Sequence, residues 1–229
     1  MTQSVTLLHL LQLADSALPV GAMAHSFGLE SLVEYGALVP DNLESFLRDW
    51  LVESGTLEAV FCARSCALAQ SGTASLLEWL QLNLRLDARK PAREAREASA
   101  AIARRLIDLA TRAFGNHIFA DVANVASAKN QPLHYAVCFG YMAGRLQILS
   151  CHVVPAFLHQ NVAGLISACQ RLMPLGHIQA QAILFHLKPE IACAAASALE
   201  AELHISSFAP LLEIGSMTHP RLGTRLFIS

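Results

Sequence analysis

"HYAVCFGYMAGRLQILSCHVVPAFLHQNVAGLISACQRLMPLGHIQAQAILFHL", residues 134–187, carries only two Lys or Arg side chains, Arg145 and Arg171, and no Asp or Glu. Its apolar residues recur at three- and four-residue spacing, which is the period of a helix and not of a strand. The spacing predicts helices over 133–148, 152–172 and 176–187. Three helices with two charges cannot each turn a solvated face outward, so they belong at the centre of a bundle or against another chain. The stretch therefore predicts an all-α protein with more apolar surface than one domain covers, and a homodimer is the simplest closed assembly.

The same period runs outward in both directions, and alternating runs rich in Val, Ile and Thr are absent. Leu7, Leu8, Leu11 and Leu13 crowd one side of a first helix, ended by Asp15 and Pro19. A second covers about 24–35, with Gly36 where a left-handed C-terminal cap would sit. Pro40 and Asp41 open a third, with Asp41 as N-cap and Glu44 three residues on, close to a capping box. Gly55 and Gly72 punctuate the next pieces, and Thr73 caps a helix through "LLEWLQLNLRL". Pro91 suits the first turn of the longest helix, about 91–113, closed by Gly115. Further helices fall near 116–128 and 189–203. The expectation is one single-domain helical bundle of about ten helices over 1–229, with 204–229 a tail of weak period. In that tail Pro220 and Gly223 discourage helix, while Leu222, Leu226, Phe227 and Ile228 make exposure unfavourable. Such a mixture is loose alone and ordered by a partner.

Composition excludes several classes. The hydrophobic fraction is 54% and the charged fraction 15%, against a usual quarter charged. No apolar run reaches the roughly 18 residues of a membrane span, and the first residues lack a basic lead and small-residue cleavage site. These features read as a cytoplasmic protein with no membrane partner. Six cysteines without framework spacing read as reduced thiols. A net charge of −2 gives no nucleic-acid signal. Half of the Lys and Arg residues lie in 85–112, but Asp87, Glu94, Glu97 and Asp108 interleave with them, as on a solvated helix.

The inventory for chemistry is nearly empty. Cys62 and Cys66 share a helix face but lack further ligands, and His152 and His159 lie two turns apart. HExxH, CxxC, GxSxG and GxxxxGK motifs are missing. Glu30 with Glu34, and Glu200 with Glu202, are acids at ordinary surface spacing. No catalytic residue and no metal site is expected, and the protein is read as a binding component rather than an enzyme. The competing class is a small all-α metalloenzyme using the histidine-rich segment 134–186.

The loop "ALPVGAMAHSFGLE", residues 17–30, has its own logic. Pro19 fixes a backbone angle, while Gly21 and Gly28 admit conformations or close approaches closed to other residues. Ser26 is placed to cap the next helix and Glu30 to meet its N-terminus. Such a loop is either a tight helix connection or an element for a partner to hold.

Three blocks in order, "LLQLADSALPVGAMAHSFGLE", "RLMPLGHIQAQAIL" and "PLLEIGSMTHPRLGTRLFIS", resemble the UreF family of urease accessory proteins. "NLRLDARKPAREAREASAAIARRL" and "HYAVCFGYMAGRLQI" support the match, so the resemblance covers about residues 5–229. It implies an all-helical, dimeric component of nickel insertion that bridges the D-type (or H-type) accessory protein and the G-type GTPase. It also implies delivery of nickel to apo-urease coupled to GTP hydrolysis, with no cofactor of its own and nickel handled transiently by the complex. The partner-binding residues it implies are Pro19, Gly21, His25, Ser26, Gly28 and Glu30 in the first block. In the second they are Arg171, Pro174, Gly176 and Gln181, and at the end His219, Arg225, Leu226, Phe227 and Ser229. Leu226 and Phe227 are the expected apolar anchors for the D-type partner, and Arg225 the charged contact. The chain departs from the family pattern at Met23, Phe27, His177, Thr218 and Ile228.

Overall fold

The computed structural model describes residues 3–71, 76–113, 122, 124 and 132–229. Among these the chain is all-α, without a strand. In chain order the helices are α1 (Gln3–Leu13), α2 (Leu29–Glu34), α3 (Leu43–Trp50), α4 (Thr56–Gln70), α5 (Leu76–Asp87) and α6 (Arg93–Ala113). They continue with α7 (Tyr135–Arg145), α8 (Ser150–Leu172), α9 (His177–His186), α10 (Lys188–Glu200) and α11 (Pro210–Thr218). Gly72, Thr73, Gly115 and, apart from Val122 and Asn124, the helix expected over 116–128 lie outside the described residues.

The charge-poor stretch supplies the centre. Every residue of α7 from Tyr135 to Gly144 is buried, and α4 crosses it at backbone contact. A Cβ on Gly140 would sit 2.1 Å from the Cys62 carbonyl oxygen, and one on Gly144 2.4 Å from that of Cys66. Glycines four apart clear one face of α7, and only that absence of side chains lets the two helices meet so closely. Tyr135, Phe139 and Phe157 then tie α7 to α8 with ring centroids 5.4 to 5.8 Å apart. Trp79 of α5 meets Tyr141 at 5.8 Å. On α6, Ala98, Ile102, Ala103, Leu106 and Ala110 turn inward, while Arg93–Glu97 and Arg112–Asp108 pair along its outer side. The α9 helix is different, since Ile178 and Phe185 stand 89% and 65% exposed.

Four local expectations need correction. The helix expected over 24–35 is broken into a 3-10 turn, Ala22–Ala24, and α2, because Phe27 and Gly28 between them take left-handed φ of 53° and 91°. Asp41 does not cap. Pro40–Asn42 form a 3-10 turn, and the Asn42 side chain accepts the Val39 N–H at 2.9 Å and donates to the Ala37 carbonyl at 3.0 Å. Glu44 pairs with Arg48 at 2.7 Å instead of closing a capping box. Gly55 does not punctuate; it lies in a π turn, Leu51–Gly55, that joins α3 to α4, where the Thr56 hydroxyl donates to the Leu51 carbonyl at 2.7 Å. Among the described residues the longest helix is α8, 23 residues against 21 in α6, because Pro91 and Ala92 stay outside α6 and α8 begins at Ser150, two residues before its expected start. Gly36 does take the left-handed φ of 68° expected of a cap.

Candidate functional site

The loop before α2 turns sharply through Phe27 and Gly28, and Gly28 lets α11 come close. A Cβ there would stand 2.6 Å from the Ser216 backbone nitrogen. This approach brings the tail back over the first turn of α2, where Glu30 is buried. Its Oε1 accepts the Leu226 N–H at 2.6 Å, and its Oε2 accepts the Phe227 N–H at 3.2 Å and faces His219 Nε2 at 2.9 Å. The other ring nitrogen of His219 lies 2.8 Å from Glu94 Oε2, on α6, and Arg225 Nη1 lies 3.6 Å from Glu94 Oε1. The two nitrogens of this fully buried ring are thus each faced by a carboxyl oxygen. Burial pushes the Glu30 carboxyl up, but the Leu226 N–H, His219 and the Phe227 N–H outweigh it and hold the group below its ordinary value.

The last residues continue the attachment. Ile228 N–H donates to the Ala24 carbonyl at 2.9 Å, and the Ser26 and Phe27 N–H groups both donate to the Ser229 backbone oxygen. His25 Nδ1 sits 2.7 Å from Ser229 Oγ. Burial, then Arg105, lowers the His25 pKa, so its ring is neutral near neutral pH. From α8, Arg171 donates to the Met23 carbonyl at 2.8 Å and stacks 4.2 Å over the Phe227 ring.

Most of the residues marked in the sequence thus meet in one assembly. His25, Ser26, Gly28, Glu30, Arg171, His219, Arg225, Leu226, Phe227 and Ser229 all belong to it, and Gly21, at φ 75°, packs against Arg105. Pro19 is exposed ahead of the loop; Pro174 and Gly176 are exposed in the turn after α8, and Gln181 is exposed on α9. None of these last four takes part in the hydrogen bonds above. The Ser26 side chain does not cap α2: its hydroxyl has no partner, two left-handed residues separate it from the helix, and its N–H is spent on Ser229 while its carbonyl accepts the Leu29 N–H at 3.1 Å. Of the two expected apolar anchors, Phe227 is buried beneath Arg171, while Leu226, and Ile228 beyond them, stand more than half exposed. Ordering of the tail therefore has an internal source in this fold: Glu30, Arg171 and the loop backbone.

Beside the loop lies a cavity of about 140 Å³, lined in part by His25, Glu58, Lys90, Ser99, Tyr135 and Gln160. Next to it stands a set that the sequence did not reveal. His134 Nε2 is 3.2 Å from Asp87 Oδ1, and its Nδ1 is 3.3 Å from Ser99 Oγ. The order acid, imidazole, hydroxyl is that of a nucleophilic triad, but the electrostatics oppose it. Burial first, then Lys90 and Arg96, lowers the His134 pKa to about 3, so the ring is a poor base at neutral pH. Ser99 Oγ already accepts the Tyr135 N–H at 3.0 Å, and Asn83 Oδ1 accepts that of His134 at 2.8 Å. The set fastens the start of α7.

The thiols are equally unsuited to metal. Burial and then Cys151 push the Cys66 thiol up to about 12, and burial raises that of Cys62 well above its ordinary value. Protonated thiols are weak ligands. Among the described residues no group of three or more His, Cys, Asp or Glu side chains converges as a metal site. The segment 134–186 scatters its histidines, with His134 in the core and His152, His159, His177 and His186 on the outside.

The sequence model of the UreF family matches residues 39–188. The chain belongs to the UreF family. Among its relatives is a urease accessory protein UreF from Nostoc sp. (strain PCC 7120), 35% identical, with 97% of this chain and 95% of the relative covered. One from Corynebacterium glutamicum (strain R) is 32% identical, over 96% of each chain. Another from Bacillus sp. (strain TB-90) is 28% identical, over 97% and 99%. For a UreF chain the unanticipated residue is Glu94. It sits in a run read as solvated helix, yet one and two turns before the buried Ala98 and Ile102, and that four-residue spacing was the available sign that it faces inward.

Proposed function

We propose that this chain is a urease accessory protein that promotes nickel insertion into apo-urease without catalysing a reaction itself. It bridges the D/H-type accessory protein and the G-type GTPase, couples GTP hydrolysis to metal delivery, and works as a homodimer in the cytoplasm. Nickel is cargo of the complex, with no resident cofactor in this subunit. Family membership supports the accessory role. The observation that carries the bridging role is the docked tail, whose polar groups are consumed by Glu30, Glu94 and the loop while the Leu226 and Ile228 side chains stay outside. Outward apolar side chains on a firmly held backbone suit a protein interface.

The test is co-purification of the full chain with the D-type and G-type proteins of the same genome. Leu226→Asp with Ile228→Asp is expected to weaken D-type binding about tenfold or more, at unchanged helical content. Unchanged affinity would remove the tail from the interface, and failure of the wild type to co-purify with either protein would overturn the bridging role.

A further inference from the structure

We propose that Glu30, His219 and Glu94 form a proton-operated latch: the tail from Arg225 to Ser229 stays docked only while the Glu30 carboxylate is ionised, with Glu94 steadying His219 from the far side. The consequence for partner binding rests on the function proposed above; the latch itself does not.

The geometry leaves no place for a proton on Glu30. Its carboxylate faces three donors, the Leu226 and Phe227 N–H groups and His219 Nε2. A carboxylate accepts through both oxygens, whereas a carboxylic acid turns one of them into a donor. Protonation would therefore set an O–H against an N–H at 2.6 to 3.2 Å, on a carboxyl group that is itself buried. Two consecutive tail amides depend on this one charge. Glu94 braces the far side, 2.8 Å from the second nitrogen of His219 and 3.6 Å from the guanidinium of Arg225. Three elements remote in sequence, α2, α6 and the 3-10 turn His219–Arg221, meet at one imidazole. Removing either charge leaves His219 with a single carboxylate beside it.

The remaining titratable and charged groups around the tail are His25 against Ser229, Arg105 beside His25 and Gly21, and Arg171 over Phe227. Glu30 has its pKa lowered while the tail is docked and regains the ordinary value when it leaves. Docking is then complete above the ordinary carboxylate range and is lost as pH falls below it. His25 is lowered as well, by burial and Arg105. Its protonation opposes docking too, but starting from the higher, ordinary histidine range. The two steps are separable by substitution.

Hydrogen exchange of the full chain reads the latch, as protection factors of the Leu226, Phe227 and Ile228 amides from about pH 7 to about pH 3, with α7 amides as internal reference. In the wild type, tail protection falls about tenfold or more at the acid end while α7 stays protected. Glu30→Gln, nearly the same shape without the charge, shows that loss already at neutral pH, and Glu94→Gln shows it in part. His25→Asn retains the acid step. Full tail protection in both Gln variants, or loss of tail and α7 protection together in the wild type at acid pH, would overturn the latch. D-type binding is measured separately. A loosened tail with unchanged affinity would refute the interface and leave the latch standing.

Discussion

Gly140 and Gly164 are both helical glycines, and the structure gives them opposite roles. Any side chain at Gly140 runs into the Cys62 carbonyl of α4, a backbone atom that cannot swing away, whereas a Cβ at Gly164 meets nothing within 4 Å. Gly140→Ala is expected to destabilise by about 1–3 kcal/mol through overpacking, and Gly164→Ala to be neutral or stabilising by up to about 1 kcal/mol. Urea midpoints of the two variants measure this, and equal shifts would contradict the close crossing. Single residues were legible in the sequence where their backbone demanded one geometry, as at Gly36 and Gly28. They were illegible where a partner far along the chain decided the outcome. Ser26 looked like a cap because only its neighbours could be seen, and Glu94 looked solvated because its partner, His219, lies 125 residues away.

Among the elements, α7 to α10 were readable because their apolar period is continuous, and their observed ends differ from the expected ones by a few residues. The loop 17–30 and the tail have no period to read. Their conformation comes from each other, through Glu30, Ser229 and the Arg171–Phe227 stack. That dependence sets an expectation for the tail as a unit. Phe227→Ala removes a buried ring and with it the stack under the Arg171 guanidinium, so trypsin should cut after Arg225 about tenfold or more faster than in wild type. Leu226→Ala, on an exposed side chain, should leave the rate near wild type. Equal cleavage of the two would mean that the ring does not hold the tail.

At the scale of the whole molecule, burial of α7 absorbs much of the charge-poor stretch, yet apolar side chains remain outside on α1 and α9, among them Leu7, Leu8, Leu11, Ile178 and Phe185. The proposed homodimer is checked by light scattering at tens of micromolar: the wild type is expected at twice the chain mass, and Ile178→Asp with Phe185→Asp at the chain mass. A monomeric wild type would refute it.

The π turn between α3 and α4 acts as a phase shifter. One residue more than an α turn requires is held there, and each helical residue advances about 100°, so the face that α4 turns to the core is set by that extra residue. Val52, 69% exposed, contributes length rather than packing, while the next residue, Glu53, accepts the Phe208 N–H at 2.7 Å and ties the turn to the segment leading into α11. Deleting one residue would close a straight helix with its hydrogen-bond ladder intact and swing Cys62, Cys66 and the groove for Gly140 and Gly144 away from α7. At this point in the chain the fold therefore depends on the count of residues more than on their identity, and a substitution at Val52 is a far smaller injury than its loss.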